Sequence, residues 1–100
     1  MINFRTYKIA VEFYKQSQNL CLPSHLREQF NRASSSIALN LAEGYGRSGK
    51  KDQKRFFTIA FGSVRECQAL LQLAPVVDPQ LVKLLDKLAA YNYKLIKSMG

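Results

Sequence analysis

Arg47, Lys50, Lys51, Lys54 and Arg55 place five cations within nine residues, and Asp52 alone opposes them from inside the segment. Such a block suits phosphate, because free backbone donors at a helix start and converging positive charge can cradle one phosphate or track a nucleic-acid backbone. If all five touched duplex phosphates, the logarithm of affinity would fall with the logarithm of salt at a slope of roughly −4 per subunit. A solvated basic face is the plain alternative. Tyr45, just ahead of the block, could stack on an exposed base or pack on its own domain. The formal charge of +8 at pH 7 favours encounter with polyanions in general.

The remaining reactive side chains do not assemble a catalytic set. His25 is the single histidine and has no second ligand or nucleophile nearby in sequence. Cys21 and Cys67 stand 46 positions apart without a Cys-x-x-Cys or Cys/His cluster, so they read as ordinary thiols, Cys67 in the core and Cys21 near a helix end. Ser34, Ser35 and Ser36 lack a paired base, and their small size suits close helix approach with hydroxyls bonded to the preceding turn. Bundle enzymes use paired Glu-x-x-His ligands, which are missing here, so no enzyme, metal or cofactor is expected.

Four amphipathic segments must position these residues. Phe4, Tyr7, Val11, Tyr14, Gln18 and Cys21 follow a 3-4 spacing over a first helix from about 4 to 20, closed by Pro23. Ser24 then serves as N-cap to a second, whose inward stripe is Leu26, Phe30, Ala33, Ile37, Asn40 and Leu41, with Gly44 as the left-handed C-terminal residue. The third begins between Lys50 and Asp52 and carries Phe57, Ala60, Val64, Cys67, Leu71 and Ala74 before Pro75. Asp78 and Pro79 are a cap and first-turn pair for the fourth, with Leu81, Leu84, Leu88, Tyr91, Leu95 and Met99. Short connections make consecutive helices antiparallel neighbours, giving one all-α domain over residues 1–100, an up-down-up-down four-helix bundle.

Within the second helix, Asn40 on the inward stripe needs partners, a backbone group or the Glu43 and Tyr45 region. Glu43 lies at the negative end of the helix dipole and calls for a cation, Arg47, Arg55 or Arg65. Ile9, Phe13, Phe56 and Ile59 fall off the seams and are expected at an interface between copies, a wide core being the alternative. Composition is globular, 47% hydrophobic and 22% charged. With no apolar run of about 18–20 residues and no secretory leader pattern, the protein is expected to be soluble and cytoplasmic, away from membranes.

RASSSIALNLAEGYGR (Arg32 to Arg47) and FFTIAFGSVRECQALL (Phe56 to Leu71) resemble the small four-helix-bundle proteins encoded in 23S ribosomal RNA intervening sequences. That family's pattern runs R-x-S-x-S-I-P-x-N-I-A-E-G-x-G-R, then R-F-x-x-x-A-x-G-S-x-x-E, and YKIAVEF (Tyr7 to Phe13) resembles its first helix. Ser35, Ser36, Asn40, Glu43, Gly44 and Gly46 lie within the signature. Ala38 departs from it where proline is common, which should leave the second helix straighter. The resemblance implies a homopentameric ring, and a distant kinship to the accessory protein of diversity-generating retroelements, a basic pentamer that binds reverse transcriptase and nucleic acid.

The expected function is therefore a non-enzymatic oligomeric scaffold that binds nucleic acid, structured RNA more than DNA, through the basic end of the bundle. The alternative is an adaptor that docks an acidic protein such as a reverse transcriptase.

Overall fold

The structure, a computed structural model, describes residues 4–76 and 78–100. They form α1 (Arg5–Ser17), α2 (Ser24–Tyr45), α3 (Lys50–Leu73) and α4 (Pro79–Ser98), with no strand among the described residues. Each helix packs on the next, and α4 returns against α1. The order of contacts along each pair fixes the directions. Phe4 meets Tyr45 while Phe13 meets Phe30, Ser36 meets Ser63 while Gly44 meets Phe57, and Lys54 meets Gly100 while Phe57 meets Asn92. Neighbours therefore run antiparallel, and the start of α1, the α2–α3 turn and the end of α4 share one end of a bundle about 41 Å long.

The first helix is rotated from the expected seam. Thr6, Ile9, Ala10, Phe13 and Ser17 face inward, and Tyr7, Val11 and Tyr14 flank them. Both stripes have helical spacing, but Ile9, Ala10 and Phe13 bury no polar atoms, whereas tyrosine hydroxyls must keep a partner or water. Ser17 enters the core because its hydroxyl donates to the Tyr14 carbonyl at 2.8 Å. Ile9 and Phe13, expected at an interface between copies, thus lie in the core of a single bundle, 5% and 0% exposed. The helix also stops at Ser17, since Gln18, Asn19 and Leu20 bond back three residues and tighten the chain into turns. Arg27 of α2 holds that corner by donating to the carbonyls of Ser17 and Leu20.

Pro23, rather than Ser24, occupies the cap position of α2, its carbonyl accepting from Leu26 and Arg27. The helix continues unbroken through Ala38 to Tyr45. Gly44 is not a left-handed terminus. It sits inside the last turn, and the residue that closes the helix is Gly46 at φ −81°. Gly44 is needed for space: a Cβ there would lie 2.5 Å from Cε1 of the buried Phe57 ring. Farther up the same contact, the Ser63 hydroxyl donates to Ser36 Oγ at 2.9 Å, and Asn40 Nδ2 donates to the Ser36 carbonyl and Oγ. The amide of Asn40 thus finds a backbone partner, one turn back in its own helix.

In α3 the inward stripe ends on Leu70 instead of Leu71, because Ala74, ahead of Pro75, has already turned extended. In α4, Asp78 Oδ1 accepts from Leu81 N at 3.1 Å and Pro79 opens the first turn, as the sequence predicts. Leu81, Leu85, Leu88 and Asn92 are buried there, with Leu84, Tyr91, Leu95 and Met99 packed beside them. Asn92 Nδ2 donates to the Phe57 carbonyl across the core, while its Oδ1 finds no partner among the described residues.

Candidate nucleic-acid interface

The shared end is built on aromatic rings. Tyr45 sits edge-on to Phe57 at 5.2 Å and to Phe4 at 5.0 Å, linking α1, α2 and α3 beneath the turn. Burial raises the Tyr45 pKa above its ordinary value, and a side-chain hydrogen bond with Thr6 pulls it partly back. Of the two roles open to Tyr45, its ring takes the packing one.

Above this layer, the five clustered cations differ in what holds them. Arg47 pairs with Glu43 at 2.9 Å and reaches Asp52 at 3.5 Å, while Arg55 donates from both Nε and Nη2 to Asp52 at 3.1 and 3.0 Å. Both guanidinium groups also sit over the Phe56 ring, 4.8 and 4.3 Å from its centroid. Each such contact is worth about 0.5–1 kcal/mol at an exposed site. Glu43 has therefore found one of its three expected partners, and the acidic groups orient the arginines while reducing their net field. Lys50 and Lys51 are exposed on the first turn of α3. Lys54 bonds the Gly100 carbonyl at 3.5 Å.

Topology adds cations that sequence spacing could not. Arg5 on α1, and Lys94 and Lys97 on α4, arrive at the same end from opposite termini of the chain. Arg5 donates to the Tyr91 hydroxyl at 3.1 Å and lies over that ring, Lys94 borders it, and Lys97 borders Tyr93 at 5.5 Å. The signal available in sequence was the antiparallel order itself, which forces the start of α1 and the finish of α4 beside the α2–α3 turn. Of the expected interface residues, Phe56 is occupied by the two arginines, and Ile59 is 43% exposed. Ser35 donates to the Arg32 carbonyl within its own helix.

The chain is matched by a family model, that of the 23S rRNA-intervening sequence protein, over residues 3–97. The chain belongs to that family. No curated protein matches it. The match spans all four helices, so it covers the whole frame that holds the basic end. Among the described residues, no helix of this family member is long and apolar enough to cross a membrane.

Proposed function

We propose that this protein is a non-enzymatic, self-associating scaffold that binds nucleic acid, structured RNA in preference to DNA, through the end of the bundle carrying the α2–α3 turn. One observation carries the reading. Arg5, Lys8, Arg47, Lys50, Lys51, Lys54, Arg55, Lys94 and Lys97 gather in that half against Glu43 and Asp52 alone, while the other five acidic residues lie in the far half among the remaining cations. Such concentrated charge steers polyanions and supplies the sequence-independent part of their affinity. Membership of a family named for 23S rRNA supports an RNA partner.

Self-association, as the pentamer of the resemblance implies, would draw on the exposed Leu39 and Ile59 of α2 and α3. Native mass tests this part, and a strictly monomeric species at micromolar concentration would reject it. For the binding part, purified protein should shift structured RNA at low salt. Reversing Lys50, Lys51 and Lys54 to Glu should abolish the shift, and binding that persists would reject this surface. Recovery of an acidic protein after nuclease treatment would favour the adaptor role instead.

A further inference from the structure

We propose that the nucleic acid engages as a single strand, with an unpaired base stacked on Tyr93 and its phosphate held by Lys97 and Lys54. This rests on the reading of the basic end given above and names the form of the ligand. Tyr93 is 50% exposed on the penultimate turns of α4. Its neighbour across the seam is Phe61 of α3, whose ring lies 6.1 Å away at 51°, and its other recorded ring contact is the flexible Lys97 ammonium.

The cations are placed to match. Lys97 is one turn beyond Tyr93 on α4, with Nζ 5.5 Å from the ring centroid. Lys54 lies two turns before Phe61 on the same stripe of α3 and touches Gly100, which closes the end of α4. A base and its own phosphate are covalent neighbours, so a ring with ammonium groups one to two turns away suits one nucleotide and its linkage.

Three other rings at this end are engaged, and Phe4, 46% exposed, stands on the far side of Tyr45 with no lysine recorded against it among the described residues. Tyr45 is wedged against Phe4 and Phe57, Phe56 lies under two guanidinium groups, and Tyr91 is bonded and covered by Arg5. At an exposed site, the contact of Lys97 with Tyr93 is worth only about 0.5–1 kcal/mol, less than a stacked base can supply. In a duplex the base faces are already stacked and unavailable to a side chain, so Tyr93 distinguishes unpaired from paired strands while ignoring sequence. Loops and ends of folded RNA provide such bases.

Fluorescence polarisation with a short unstructured oligoribonucleotide and a duplex of equal length, both at low salt, tests this. Tyr93→Ala should weaken single-strand binding about 5- to 150-fold, the equivalent of roughly 1–3 kcal/mol of stacking. Duplex affinity and the salt slope should stay unchanged, and Tyr93→Phe, which keeps the ring, should bind like the parent. Equal losses on both ligands, no loss on either, or a drop in native mass in Tyr93→Ala would overturn the proposal. Duplex binding that is sensitive to the Lys50, Lys51 and Lys54 reversal, but with single strands no tighter than duplex, would overturn it while leaving the basic end intact. Absence of any binding would remove both.

Discussion

The two ends of this bundle are built from the same helices and serve different demands. At the α2–α3 turn, rings from three helices interlock under a crowd of cations, of which Arg5, Arg47, Arg55, Lys94 and Lys97 lie against ring faces or beside the few carboxylates present. At the opposite end, Asp78 at the cap of α4, Asp86 within it, and Glu28 and Glu66 of α2 and α3 balance the nearby lysines and arginines, and Leu73 and Val76 remain exposed. Like charges crowded together repel, so the turn end sacrifices some stability that a balanced surface keeps. A one-sided charge distribution of this kind is what the proposed polyanionic ligand would require.

The largest expected effect separates packing from charge. Phe13→Ala, in the far half and against Phe30, should lower stability by about 3–5 kcal/mol on denaturant unfolding while the folded fraction still binds RNA. A small change would return Phe13 to the surface role first expected of it. Reversal of Lys50, Lys51 and Lys54 should do the opposite, weakening RNA binding on the order of 100-fold at low salt with little change in unfolding midpoint. The matched reversal of Arg65, Lys83 and Lys87 should weaken it far less. Equal effects from the two triple variants would erase the distinction between the ends.

A pH experiment probes the core that both ends share. Burial, with Glu66 adding a smaller electrostatic push, raises the Cys67 thiol to about 12. The folded state therefore favours the neutral thiol. Its contribution is complete below the unfolded pKa and is lost as pH climbs from about 9 towards 12, at up to about 1.4 kcal/mol per pH unit. Thermal unfolding of the parent and Cys67→Ala should converge as pH rises through that window, and parallel curves would exclude this thiol as the source. The smallest expected effect is Gly44→Ala. It gains up to about 1 kcal/mol of helix propensity but drives a methyl into Phe57, for a net loss of about 1–2 kcal/mol.

Much of this frame was legible from local chemistry. Asp78 followed by Pro79 marks a helix start because one side chain and one fixed φ suffice, and Glu43 four residues before Arg47 marks an ion pair because a helix turn brings them together. The first helix was harder, since its tyrosine stripe and its Ile9–Phe13 stripe have equal periodicity and the choice turns on the tyrosine hydroxyls, which periodicity does not weigh. Gly44 was recognisable as special, but its reason lies in Phe57, thirteen residues away across a turn. Arg5, Lys94, Lys97 and Tyr93 could be grouped with Lys54 only through the antiparallel order of the helices, because nothing in their own neighbourhoods connects them. Within the basic block, the charges were evident and the hold of Asp52 and Phe56 on its two arginines was not.

That hold has a kinetic and thermal consequence. Long flexible side chains ordinarily surrender about 0.5–1.5 kcal/mol of rotational freedom each when a ligand immobilises them. Arg47 and Arg55 have made much of that surrender on folding, so an arriving anion meets donors already aimed and needs only to displace or share a carboxylate. Association through them should respond weakly to temperature and strongly to ionic strength, whereas the unrestrained Lys50 and Lys51 should act mainly at a distance, hastening approach.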